Sequence, residues 1–285
     1  MITIRTMSDA LIGQDGLIVR DSGVWAKDKL YYLERYLKIF SVGMKNKWLG
    51  RLYYVDLFAG PGQCRIKDTG EEFDGSPLIA LLNFDFAEYF FIEADKACYE
   101  ALDARVKKRD PEKYKHTKIV HGDCNEEINK IKIPTTGLGL AFVDPTGIAP
   151  LAFDTVRKLT AGRKIDLIIN FHEGMGIRMN IHQYTQKEGS ALDSFMGSDR
   201  WRQRFRKAPA SIDQVCREIA AEYRENLQTL GYQVFEGDQV PIRTDRNTLL
   251  YYLLFASKHP KGSEFWRKIG EIDARGQRKF KLEGF

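Results

Sequence analysis

A chain of 285 residues with 43% hydrophobic content can bury one large core, or one core and a small lobe. Its 44 Lys and Arg against 39 Asp and Glu leave a formal charge of +5 and a pI near 8.8, a mild tilt toward anionic partners. No window has the apolar length of a membrane helix, MITIRTMSDALIG lacks the form of a signal peptide, and Cys64, Cys98, Cys124 and Cys216 form no CxxC pair. A cytoplasmic protein is expected, with no membrane span, disulfide framework or metal centre.

In chain order, residues 24 to 40 space Leu30, Leu33, Leu37 and Phe40 by threes and fours, the pattern of an amphipathic helix. Residues 1–50 therefore read as an N-terminal helical segment packing on the downstream core. From Leu52, strand-length apolar runs alternate with helical patterns, among them RLYYVDLF, YFFIEA, TKIVHGD, LGLAFVD and KIDLIINF. LYYV, FFI, LAFV and LIIN are apolar on both faces, as strands are when helices cover both sides of a parallel sheet, so the fold class is α/β with a doubly wound core. Ser76, followed by Pro77, and Asp95 read as helix N-caps, and Ser211 with Gln214 has capping-box spacing before a stripe from Ile212 to Leu230. GYQVFEGDQVPIR and NTLLYYLLFASK, joined by a loop with Asp245 and Asn247, read as an antiparallel C-terminal hairpin. The core thus spans 51–172 and 211–273. Residues 173–210 form a strandless helical insertion suited to substrate contacts, and 274–285 a basic tail. Within the insertion, RWRQRFRK puts Trp201 and Phe205 on one helical face and leaves its basic residues for solvent or phosphate.

Ligands of open α/β sheets sit beyond the carboxyl ends of the strands. The first core strand ends at Asp56 to Phe58, and Gly60 and Gly62 then offer bare backbone to a bulky ligand. The next ends at Glu93, placed to accept from both hydroxyls of a ribose; the third at Asp123, placed to accept from an adenine amine; the fourth at Asp144, beside the reacting group. Each has a local alternative: Asp56 as a turn acid, Asp123 as a helix cap, Glu93 as a cap in competition with Asp95. The glycine turn does not open directly into a helix, because QCRIKDTGEEFDG intervenes before Ser76, so no pyrophosphate cradle is formed and a nicotinamide dinucleotide is disfavoured.

DLFAGPG, FIEAD, HGDC and FVDPTG together resemble class I S-adenosylmethionine methyltransferases, whose fold is Rossmann-like. DLFAGPG, GSPLIALL, FVDPTG and FASKHPKGSEFW resemble more closely the three-Cys-motif partner family, whose name implies a neighbouring protein with three cysteines. The resemblance implies S-adenosylmethionine as cofactor, bound by Asp56, Phe58, Gly60, Gly62, Glu93, Asp123 and Cys124, with Asp56 meeting the methionine ammonium. Asp144 and Pro145 resemble the start of the Asp/Asn-Pro-Pro-aromatic motif of amino methyltransferases, while Thr146 and Gly147 replace its second proline and its aromatic. Phe171 or Tyr184 is then the candidate stacking face, and His172 and Glu173 are further catalytic candidates. The implied activity is in-line methyl transfer to a nucleic acid or nucleotide-like substrate, with Asp144 orienting or deprotonating the acceptor; the alternative is a methyltransferase-fold partner subunit without turnover.

Overall fold

A computed structural model describes residues 11–207 and 211–277. The expectations for 1–10, for 208–210 and for Arg278, Lys279 and Lys281 of the tail fall outside the described residues, as does the Phe205 side chain. The chain runs through β1 (Arg20–Ser22), α1 (Trp25–Lys45), β2 (Leu52–Asp56), β3 (Gln63–Ile66), β4 (Glu72–Asp74), α2 (Ser76–Asn83), β5 (Glu88–Glu93) and α3 (Lys96–Arg109). It continues through α4 (Pro111–Tyr114), β6 (Thr117–His121), α5 (Cys124–Glu127), β7 (Leu138–Val143), α6 (Phe153–Thr160) and β8 (Ile165–Phe171). A π-helical turn, Glu173–Arg178, leads to α7 (Ile181–Gln186), α8 (Ala191–Met196), α9 (Arg200–Lys207), α10 (Ile212–Thr229), β9 (Val240–Arg243), β10 (Leu249–Ala256) and α11 (Pro260–Gly270).

The main sheet has seven strands in the order β6-β5-β2-β7-β8-β10-β9. The first five are mutually parallel, and β10 pairs antiparallel with both β8 and β9. This is the expected doubly wound, mostly parallel sheet with its antiparallel C-terminal hairpin. From β2 the chain builds outward through β5 and β6, then returns to the other side of β2 with β7, so the strand order reverses between β2 and β7. Alternate residues of the central strands feed two cores. Tyr54, Phe91, Leu140 and Ile168 pack with α1, α2 and α11, while Val55, Ile92, Ala141 and Ile169 pack with α6, α8 and α10.

Helix α1 buries the expected Leu30, Leu33, Leu37 and Phe40 and adds Tyr32 and Tyr36. Asp95 caps α3 by accepting from the Cys98 N–H at 2.8 Å, and Ser211 caps α10 by accepting from Gln214 at 3.3 Å. Gly75, with extended backbone, is the N-cap of α2 in place of Ser76, which is the first helical residue and whose hydroxyl bonds Asp56. The C-terminal hairpin begins later than the sequence pattern suggests: residues 231–239 contribute a bridge from Gln233 to Ser257 and a short 3-10 turn before β9. The stretch between the glycine turn and α2 is also more than a connection. It forms β3 and β4, and with β1 a second, three-stranded sheet. Among the described residues no helix is long and apolar enough to cross a membrane, and no cluster of His, Cys, Asp and Glu could hold a metal.

Candidate functional site

Asp56 and Asp144 close β2 and β7, on either side of the point where the strand order reverses. Both leave the sheet on the α1 side, two residues beyond Tyr54 and Phe142 of that core. After Asp56 the chain turns through Gly60 and Gly62 at φ +64° and +86°, backbone that side chains with a Cβ rarely adopt. Glu93 pins this turn. Its Oε2 accepts from the Gly60 N–H at 2.6 Å and its Oε1 from the Asp95 N–H at 2.9 Å, so the acid expected at a ribose also braces the backbone around it.

The N-terminal strand β1 lies across the turn, pairing in parallel with β3. A Cβ on Gly60 would stand 3.3 Å from the guanidinium carbon of Arg20, so the glycine admits this side chain. The Arg20 Nη2 is 3.8 Å from Glu93 Oε2. Arg105, from α3 and nearly fully buried, clamps the strap. It donates to both Asp15 oxygens at 2.7 and 2.8 Å, and to the carbonyls of Ile18 and Pro61, each at 2.6 Å. Between strap, glycine turn and the start of α1 remains a cleft of about 50 Å³, lined among others by Arg20, Lys29, Phe58, Gly60, Gln63 and Asp144.

Asp56 does not open into that cleft. Its side chain has no exposed surface and accepts from the Phe58 N–H at 3.1 Å and the Tyr54 hydroxyl at 3.4 Å, with Ser76 as a further donor. Burial raises its carboxyl to about 7 against the pull of those hydrogen bonds. The turn-acid alternative describes what is seen.

At the reactive end, Asp144 is bound by two residues that the sequence pattern does not single out. The Lys29 ammonium donates to its Oδ2, and the Asn170 amide donates to its Oδ1 at 2.6 Å. Burial alone would raise the Asp144 carboxyl, but the charge and hydrogen bond of Lys29, the Asn170 amide and His172 outweigh it and hold the group below the usual carboxylate range. Lys29 is correspondingly held protonated: burial opposes its charge, and Asp144 more than restores it. Asn170 keeps a buried amide oxygen with no hydrogen-bond donor. His172 contacts the Pro145 carbonyl through Nε2 at 2.7 Å and lies tilted against Tyr251, ring centroids 5.5 Å apart, and burial depresses its pKa despite nearby Asp144. A polar residue inside LIINF, and a lysine one turn from Ala26 and Leu33 on a buried helical face, were the available signals for Asn170 and Lys29.

His172 and Glu173 do not act as a pair. Glu173 lies in the π-helical turn and faces Arg178 at 3.7 Å, with Arg217 and Arg224 beyond, among groups that do not include Asp144. Phe171, fully buried against Phe195 and Tyr223, offers no face to a base. Tyr184 packs on the same core and donates to the Gly176 carbonyl at 3.2 Å. Asp123 is exposed and caps α5, accepting from Asn125 N–H at 2.7 Å, and the Cys124 side chain is buried in the core. In the basic stretch, Arg202 is tied to Asp193, Ser190 and the Thr185 and Lys187 carbonyls, and Arg200 to Asn226 at 2.6 Å. Arg202 is buried and serves as an internal brace, which departs from the expectation that the basic residues there are left for solvent or phosphate, whereas Arg200 keeps an exposed side chain as expected.

No protein-family model matches the chain, and no curated protein does. Among solved structures, the methyltransferase domain of bacterial CtHen1-C is 14% identical over 79% of this chain and 98% of its own, with a TM-score of 0.42. Cofactor-bound Rv0187 from MTB is 9% identical over 80% of each chain, TM-score 0.42. Protein LPL1258 from Legionella pneumophila is 12% identical over 86% of this chain and 91% of its own, TM-score 0.47. Similarity this distant says nothing of activity, which rests on the geometry of the cleft and its strand-end acids.

Proposed function

We propose that this protein is an S-adenosylmethionine-dependent methyltransferase whose acceptor, an amine of a nucleic acid or nucleotide-like molecule, is held at Asp144. The observation that carries the reading is the Lys29–Asp144–Asn170 cluster at the carboxyl end of β7, beside the glycine turn. The cofactor would supply a methyl group on a positively charged sulfur. On this reading Glu93 would accept from the ribose, the cleft-lining backbone at Gly60 and Gly62 would meet the cofactor, and the Asp123 region would face the adenine. With an in-line displacement, alignment supplies much of the rate.

The electrostatics favour orienting the acceptor over deprotonating it. A carboxylate held below its usual range is a weak base, and Lys29 stays protonated. A neutral amine needs no prior proton loss, and its N–H groups match the Asp144 carboxylate and the unpartnered Asn170 oxygen. Tyr251 lies beside this cluster, its ring 5.7 Å from the Lys29 Nζ and 5.5 Å from the His172 ring. The resemblance to three-Cys-motif partner proteins adds a three-cysteine partner protein to the proposal.

A second reading, a partner subunit without turnover, is favoured by the small cleft and by the engagement of both Asp144 oxygens. One experiment separates the two: calorimetric titration with S-adenosylmethionine and S-adenosylhomocysteine, then labelled-methyl transfer to DNA, RNA and nucleotides. Folded Asp144→Asn should keep cofactor affinity and lose transfer by at least about a hundredfold. In Lys29→Met the Asp144 carboxyl rises, so the acidic limb of the transfer profile should move to higher pH. Binding without transfer to any acceptor favours the partner subunit, and transfer by Asp144→Asn at the wild-type rate removes Asp144 from the chemistry.

A further inference from the structure

The FASKHPKGSEFW stretch, Phe255 to Trp266, has no residue in the cleft beside the glycine turn. It closes a second cavity at the other end of the sheet, between α1 and the start of α11. Asp166 marks that end: it is the second residue of β8 and lies four positions before Asn170, so about 13 Å of strand separates it from the Asp144 cluster. Asp166 is buried, and no cation answers it. The Tyr36 hydroxyl donates to its Oδ2 at 2.8 Å and Ser257 is its other side-chain hydrogen-bond partner; both are neutral, and among the described residues no Lys, Arg or His forms an ion pair with it. Burial accordingly raises its carboxyl to about 6. A carboxylate has about four acceptor positions, and burying one without enough donors is costly. Tyr36, Phe40, Trp48 and Phe265 wall the cavity with rings, and Trp48 and Phe265 keep part of their surface exposed. Lys47 and Lys261, both exposed, stand at its mouth.

The cavity holds about 80 Å³, several times the roughly 10 to 15 Å³ that one water needs. That suits a planar ring system with its substituents left at the mouth. An acceptor at the floor, rings at the sides and cations at the mouth follow the order of groups in a nucleotide: donor edge, base, phosphate. Among the common bases guanine presents two adjacent donors, N1–H and the N2 amine, to a carboxylate. In adenine and cytosine the amine adjoins an acceptor nitrogen, and the single N–H of uracil lies between two carbonyls. We propose that this cavity binds a guanine nucleotide, its N1–H and N2 amine donating to Asp166, its base against Trp48 and Phe265, and its phosphate at Lys47 and Lys261. The site is remote from Asp144 and does not rest on the methyltransferase reading.

The test is calorimetry of the full chain with GMP, with IMP, which lacks the N2 amine, and with AMP. GMP should bind at least about tenfold more tightly than either. Asp166→Asn should lower GMP affinity about tenfold to a hundredfold, and Lys261→Met about twofold to fivefold while leaving guanosine unchanged. A short oligouridine carrying one guanosine separates two sources of the ligand: tighter binding than GMP assigns the site to an RNA strand, weaker binding to the free nucleotide. No saturable GMP binding by the folded chain, or equal affinities for GMP, IMP and AMP, would overturn the proposal. So would binding that Asp144→Asn abolishes and Asp166→Asn spares, which would put the nucleotide at the acceptor site. Should Asp166→Asn not fold, the nucleotide series and Lys261→Met still decide.

Discussion

Asp56 lies at the centre of the sheet with no exposed surface, and burial lifts its carboxyl from 3.8 to about 7. Because the folded value is the higher one, the folded chain holds this proton across a range where the unfolded chain has lost it. Its stabilising contribution is complete below about pH 4 and is lost as the pH rises through 7. The full swing is on the order of 4 kcal/mol. Asp144 has the opposite sign: its lowered pKa stabilises the fold above the ordinary carboxylate value, and that share is lost as the pH falls through the lowered one. Asp56→Asn, which keeps the shape and can still pair with Tyr54 and Ser76, should flatten the decline in stability between pH 4 and 7. Urea unfolding at several pH values reads this directly, and an unaltered decline would mean that Asp56 is ionised in the fold. Asp56 thus serves the turn, and the cleft is left to Arg20, Gln63 and Lys29.

Among the elements, the π-helical turn after β8 does most to separate neighbouring residues. It carries Glu173 toward α10 while His172 stays with Pro145 and Tyr251. The turn lies so close to β10 that a Cβ on Gly174 would stand 2.2 Å from the Leu249 carbonyl oxygen and 2.8 Å from that of Leu250. Both are backbone atoms of a paired strand and cannot swing aside as a side-chain tip can. Gly174→Ala should therefore cost about 3 kcal/mol or more, measured as a fall in the denaturant midpoint. A midpoint within about 0.5 kcal/mol of wild type would show that β10 yields at this point.

For the whole molecule, the helices between β8 and α10 are part of the main core. Ile177, Ile181, Leu192, Phe195, Met196 and Trp201 pack under α6 and α10, and the Trp201 indole donates to Asp193 at 2.8 Å. The segment expected as an insertion is, in its described part, continuous with the main core. Trp201→Ala should destabilise the chain by about 3 to 5 kcal/mol in urea unfolding, the cost of emptying a large buried site. A loss below about 1 kcal/mol would instead mark the region as a peripheral module.

The sequence by itself determined the doubly wound sheet, the amphipathic N-terminal helix, the late hairpin and the succession of acids at strand ends. Those features depend on local periodicity and on which residues interrupt an apolar run, and both are written along the chain. Which acids face a ligand, and who their partners are, was decided by the tertiary structure. Lys29 and Asp144 are 115 positions apart, Arg20 and Glu93 come from a strap and a central strand, and Arg105 ties α3 to Asp15 across 90 positions. Burial and pairing of charges depend on such distant neighbours, which no local pattern encodes. A one-residue step at the end of β8 sends His172 and Glu173 to different surroundings for the same reason: a strand fixes alternation, and only the packed fold decides what lies on each side.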